Sequence, residues 1–271
     1  LQASFFVQQL RYQFRAMESI AFGPAGAANF IRGALGWNLR RSAGESTYRR
    51  LFEPAQAGSG PSGLADWPRP FVLRASHLDG ITVPGGETFQ FDVHLFEVGE
   101  KSVEAVNSLG AAFALMPKAQ IAGLEINSIQ VDLAPAPGNL SRLRVEFITP
   151  TELKGGGELV EQPEFPVLFA RVRDRVATLR DLYGGSPLIA DFVGLGERSR
   201  NVVMESCDLQ RVDRTRTSSR TGQTHGLGGF TGRAIYSGNL GEFWPWLEAA
   251  QWTGVGRQTV WGKGQIAVGK V

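Results

Sequence analysis

The sequence predicts an α+β protein of two tandem βαββαβ units, and three observations lead there. Runs with an apolar residue at every second position alternate with runs of helical period, and the same order of elements occurs twice. A Pro/Gly/Asn segment, Ala134-Pro-Ala-Pro-Gly-Asn139, separates the two series. The 271 residues are 42% hydrophobic and 20% charged, which suits two packed cores and argues against wholesale disorder.

The first unit opens on Val7 to Ile20, where Leu10, Tyr12 and Phe14 alternate as in a strand. Asn29 is a suitable N-cap for a helix through Ile31, Ala34, Leu35 and Leu39 to Arg41, which puts Arg32 in its first turn. Residues 43–70 hold Pro54, Pro61, Pro68 and Pro70 among glycines and serines and predict a long loop. Strands are expected over Phe71 to Ala75 and Thr88 to Glu97. An amphipathic helix over Ser102 to Met116 and a strand over Ile126 to Leu133 complete the unit.

The second unit repeats the order. Leu143 to Ile148 reads as a strand, and Phe165 to Tyr183 as a helix stopped by Gly184-Gly185. Asn201 to Arg214 and Leu227 to Tyr236 are strand-like. A short helix from Leu240 to Trp252 has Pro245 near its start, and Gln265 to Val268 is the last strand. Two such units form the ferredoxin-like, RRM-like arrangement, with expected domains 1–134 and 135–271.

Formal charge is only +2, from 28 Lys+Arg against 26 Asp+Glu, so its distribution carries the argument. From Arg214 to Gly241 there are Arg214, Arg216, Arg220, Arg233 and His225 and no acid, interleaved with hydroxyls and amides. A solvated hairpin tip would tolerate such a strip, but the missing acids favour a phosphate-rich ligand held by planar guanidinium forks. Arg32, Arg40 and Arg41, with Arg49 and Arg50 after them, form a second basic region beside Glu45 alone. The mixed charges of Phe165 to Tyr183 read as a solvent face.

Cys207 is the single cysteine, which excludes an internal disulfide and a Cys-rich zinc site. A reducing, cytoplasmic setting is expected, without leader, membrane span, metal or cofactor. Because the sequence opens on Leu1, some native residues are expected to precede it.

In residues 254–264, Gly-Val-Gly-Arg-Gln-Thr-Val-Trp-Gly-Lys-Gly, four glycines (Gly254, Gly256, Gly262, Gly264) frame Arg257 and Lys263. Glycine permits positive φ and close backbone approach, so the expectation is a cradle of N–H groups for a phosphate. The nucleotide P-loop spacing is not met. The pattern G-φ-G-x5-G-x-G resembles the signature loop of the repeat-associated (RAMP) superfamily of CRISPR proteins. More closely, the chain resembles the CRISPR-associated endoribonuclease that cuts precursor crRNA within its repeats. Phe30-Ile-Arg-Gly-Ala-Leu-Gly36, Phe52-Glu-Pro54, Pro70-Phe-Val-Leu73, Phe91-Asp-Val-His-Leu-Phe96, Ile148-Thr-Pro-Thr-Glu-Leu153 and Gly228-Gly-Phe-Thr-Gly232 agree with it in order.

The resemblance implies tandem ferredoxin-like domains and metal-independent cleavage by a ribose 2′-hydroxyl. It also implies partnership with the crRNA stem-loop and with other effector-complex subunits. The lack of a cysteine set is compatible with a divergent type IV or type III member. Such chemistry needs a base, a proton donor and cations on the phosphorane. Many relatives use a histidine in or just after the first helix, whereas none lies between Phe30 and Pro70 here. The candidates are then His225 and Tyr48 for protons and Arg32 and Arg233 for the phosphorane. Arg40, Arg41, Arg214, Arg216, Arg220, Arg257 and Lys263 are expected on RNA with the four glycines. His77 and His94 read as surface or sheet histidines. Trp244, Trp246, Trp252 and Trp261 are expected mainly in the core, although an exposed ring could stack on a base. The other reading is a non-cleaving RNA-binding scaffold subunit.

Overall fold

The computed structural model describes residues 4–24, 26–54, 67–136, 138–213, 215–217 and 224–271. The first half runs β1 (Ser4–Ala16), β2 (Ile20–Ala21), α1 (Ala27–Ser42), α2 (Glu45–Phe52), β3 (Phe71–Arg74), β4 (Thr82–Val83), β5 (Thr88–Leu95), α3 (Glu100–Ala114) and β6 (Ala119–Asp132). Its four-stranded antiparallel sheet has the order β3-β5-β1-β6.

The second half continues with β7 (Arg142–Thr151), β8 (Lys154–Gly155), β9 (Glu158–Leu159), α4 (Phe165–Tyr183), α5 (Phe192–Ser199) and β10 (Val203–Val212). It ends with β11 (Thr215–Thr217), β12 (Thr224–Gly226), β13 (Gly229–Ser237), α6 (Trp244–Thr253) and β14 (Ile266–Lys270). Its main sheet has the order β10-β13-β7-β14 and is again antiparallel. In both sheets the strand that opens the unit lies between the third and the last, so both are ferredoxin-like.

The expected alternation places Leu10, Tyr12 and Phe14 of β1 on the face that α1 and α3 cover. Tyr12 and Phe113 are 4.6 Å apart between ring centres, and Ile31, Leu35 and Leu39 bring α1 onto the same core. Val145 and Phe147 of β7 meet Phe165, Phe169 and Val172 of α4 in the second core. Phe5, Val7, Val72 and Phe96 of the first half join that second core, so the halves share apolar surface.

Besides α5 and the short strands, which the sequence reading did not give, three differences bear on the site. α1 starts two residues before Asn29, because Asp79 caps it from outside: the Ala27 N–H donates to Asp79 Oδ1 at 3.0 Å. Arg32 therefore sits in the second turn. The stretch expected as loop holds α2, whose buried face is Thr47, Tyr48, Leu51 and Phe52. Pro61 falls outside the described residues. β6 is longer than its alternating part, because pairing with the full length of β1 extends it back to Ala119.

Polar contacts also cross between the halves. Gln251, Trp252 and Thr253 end α6 with unspent carbonyls, where the helix dipole favours positive charge. Arg74 Nη2 of the first half donates to the carbonyl of Trp252 at 3.0 Å, and within the second half Arg175 Nε donates to that of Thr253 at 2.9 Å. His94 Nδ1 lies 3.0 Å from the Trp252 carbonyl, which selects the tautomer protonated there. Burial, with Arg74 alongside, lowers the His94 pKa to about 4. Burial lowers the Arg74 pKa to about 9 and that of Arg175 to about 10.

Candidate functional site

The glycine-rich segment docks the second half onto α1. Gly254, Gly256, Gly262 and Gly264 all have positive φ, between 68° and 86°. A Cβ on Gly262 would come within 2.6 Å of the Ala28 Cβ in the first turn of α1. A Cβ on Gly256 would overlap the Glu152 carbonyl oxygen, and one on Gly264 that of Val255. Glycine is therefore required by contact on three sides.

The expected phosphate cradle is corrected by where the N–H groups go. Gly254 donates to the Ala250 carbonyl at 2.8 Å, Gly262 to Thr259 at 3.1 Å and Gly264 to Pro150 at 3.1 Å. Val255 donates to Gly264 at 2.9 Å and Arg257 to Glu152 at 3.2 Å. These donors close the loop on itself and on the end of β7, so they do not face a ligand. Lys263 is corrected as well. It is 3% exposed, and its Nζ donates to Glu152 Oε2 at 2.8 Å and Gln258 Oε1 at 3.0 Å. Burial lowers its pKa against the pull of Glu152. Of the two loop cations, Arg257 is the exposed one, 3.9 Å from Glu152.

Arg32 lies where the loop meets α1. Its guanidinium is 4.8 Å from the Phe52 ring centre and 5.3 Å from that of Trp261, which joins α1, α2 and the loop. Tyr48 is brought to the same cluster by stacking on Phe52 at 5.8 Å. Its expected role as a proton handler is corrected, because it is 4% exposed and its hydroxyl donates to Glu53 Oε1 at 3.0 Å. What Tyr48 does offer is a ring for Arg40, whose guanidinium is 5.6 Å from its centre. Arg40 and Arg41 are exposed on the last turn of α1.

Arg233 stands apart from this cluster, on the open face of the second sheet. It pairs with Asp208 at 3.6 Å and lies opposite Glu146 in register, so acids offset its charge. Arg214 and Arg220 lie outside the described residues. For Arg216 and His225 the backbone is described, and the two face each other across the β11–β12 hairpin. That hairpin is rooted at the junction. Leu227, just after β12, lines a small cavity with Ala28, Asp79, Pro150, Trp261 and Lys263.

Residues 145–266 match the family model of the CRISPR-associated endoribonuclease Cas6. These residues, most of the second half, are similar to Cas6. Residues 5–133 match a second model, described as an N-terminal domain. Among solved structures, a Cas6 product complex covers 97% of this chain and 98% of its own, with a TM-score of 0.64 at 17% identity. Thermus thermophilus Cas6 covers 98% and 99%, with a TM-score of 0.60 at 16% identity. A further Cas6 product complex covers 98% and 100%, with a TM-score of 0.58 at 17% identity. At such identities what is shared is the fold. No curated protein matches the sequence. Among the described residues, no group of three or more His, Cys, Asp or Glu is arranged to hold a metal ion, and no helix is long and apolar enough to cross a membrane.

The Cas6 match covers the glycine-rich segment but not α1, and the junction of the two was not legible in sequence. Trp261 and Phe52 were both in view, yet nothing local says that Arg32 lies between them. Arg74, His94 and Arg175 carried no signal either, being single polar residues inside regular elements.

Proposed function

We propose that this Cas6-like protein processes precursor crRNA in the cytoplasm by cleaving the CRISPR repeat without a metal ion, and keeps the stem-loop product. The ribose 2′-oxygen attacks the neighbouring phosphorus as its proton is taken up. The bond to the 5′-oxygen breaks, that oxygen receives a proton, and the products carry a 2′,3′-cyclic phosphate and a 5′-hydroxyl. Association with other effector subunits belongs to the same proposal.

The observation that carries it is the junction at Arg32, where α1, α2 and the loop of the Cas6-matching half meet. An always-protonated guanidinium between two aromatic faces is suited to a phosphorane, because its charge needs no proton bookkeeping. Arg257, Arg40 and Arg41 flank it as exposed cations for the RNA backbone, and Arg214, Arg216 and Arg220 of the acid-free basic sequence strip are further RNA contacts in this proposal. His225 is the proton-transfer residue in this proposal. Its support is its place on the hairpin rooted beside Trp261, since an imidazole can both take up and deliver a proton. Arg233 binds RNA more weakly than the others, being offset by Asp208 and Glu146.

The absence of a histidine between Phe30 and Pro70 favours a second reading, an RNA-holding scaffold that does not cut. Incubation with a cognate repeat RNA in EDTA, beside the same RNA with one 2′-deoxyribose at the cut site, separates the two. Cleavage of the first alone supports the enzyme, and tight binding of both without a cut supports the scaffold. An unchanged single-turnover rate for His225→Ala would remove that residue from the chemistry.

A further inference from the structure

Trp37 is 69% exposed, on a regular helix, while Trp244 and Trp246 are buried and Trp252 and Trp261 half-buried. Leaving so large a ring in water forgoes burial worth about 25 cal/mol per Å². Its surroundings on α1 are specific. Residues 30, 33, 37, 40 and 41 fall on one stripe of a helix. Phe30 is 46% exposed, and its ring is fixed edge-on against Phe22 at 5.8 Å. Between Phe30 and Trp37 the stripe carries Gly33, where an added Cβ would meet no atom within 4 Å.

The spacing leaves a shelf. Seven residues of helix rise roughly 10.5 Å. A planar ring system seated between two others needs about 7 Å, two contact separations of about 3.5 Å. A flat ligand entering over Gly33 can therefore stack on Trp37 without displacing Phe30.

The charge around the shelf says which flat ligand. α1 carries Arg32, Arg40 and Arg41 and no acid. On α2, Glu45 is tied to Arg49 at 2.8 Å, and Glu53 just after it accepts from Tyr48. Arg40 and Arg41, one turn beyond Trp37, are thus cations without acids beside them on their own helix. Arg40 is steadied over Tyr48. An aromatic ring next to two arginines matches one nucleotide, with the base on the ring and its phosphate on the guanidinium groups.

We propose that the outer face of α1 is a stacking platform for an unpaired RNA base, built on Trp37 over Gly33, with Arg40 and Arg41 holding the adjoining phosphates. This rests on the RNA-binding reading above and adds a base-stacking residue to it. The proposal is tested by fluorescence anisotropy of the full chain with a labelled oligoadenylate and with an abasic ribose-phosphate oligomer of the same length. Trp37→Ala is expected to weaken oligoadenylate binding about tenfold, the scale of one lost stack, and to leave abasic binding unchanged. Trp37→Phe should recover most of the loss, and Arg40→Gln with Arg41→Gln should weaken both oligomers. An unchanged thermal melt checks that the exposed substitution has not disturbed the fold. Equal binding of oligoadenylate by wild type and Trp37→Ala overturns the platform alone. No binding of either oligomer by the wild type overturns the RNA reading with it. A change of oligomeric state in Trp37→Ala, with oligoadenylate binding intact, assigns the face to a protein partner and overturns the proposal.

Discussion

Lys263 and Glu152 form one inward-facing ion pair, Nζ to Oε2 at 2.8 Å, between the glycine-rich segment and the end of β7. Both side chains are largely shielded from solvent, so removing one partner leaves a desolvated charge rather than a solvated one. Lys263→Met is expected to lower unfolding free energy by about 3 kcal/mol. Urea denaturation measures this. A loss no larger than that of an exposed lysine substitution would show that the pair does not hold the loop.

His94 predicts a pH dependence of stability. Its pKa falls to about 4 in the folded protein, chiefly through burial, against an ordinary 6.5. The unfolded chain therefore binds the extra proton between those values. The contribution is complete above pH 6.5 and is lost as pH falls toward 4, on the order of 3 kcal/mol in all. Thermal melts of His94→Gln and wild type across that window should converge at its acid end, and parallel curves would refute the assignment.

Two glycines should respond in opposite directions to alanine. Gly256→Ala meets the Glu152 carbonyl in a left-handed backbone, so a loss of roughly 2 kcal/mol or more is expected. Gly110, inside α3, has open space at its Cβ position, and Gly110→Ala should gain up to about 1 kcal/mol. Equal effects of the two in calorimetry would mean that the loop can relax around a side chain.

Tyr48→Phe keeps the ring under Arg40 and removes only the hydroxyl that donates to Glu53. Single-turnover cleavage of repeat RNA is expected to be unchanged. A drop of about a hundredfold, the scale of a lost general acid or base, would return the hydroxyl to the chemistry.

The sheet order was readable because period-two alternation in β1, β5 and β7 survives burial on one face. Long-range partners were not. Asp79 caps α1 from 52 residues away, so Asn29 took a role it does not have. α2 is short and borders proline-rich sequence, which hid an apolar face visible in Thr47, Tyr48, Leu51 and Phe52. The four glycines read alike whether they admit a ligand or another part of the chain. Only the positions of Ala28, Glu152 and Val255 decide between these, and no local spacing encodes them.

The contact between Gly262 and Ala28 also sets an order of events during synthesis. The first turn of α1 is made long before Gly262, so this junction cannot close until that glycine has been added. Contacts so distant in sequence make late folding steps slow. A nascent chain halted before residue 254 would display α1 and its exposed rings without the surface that completes them.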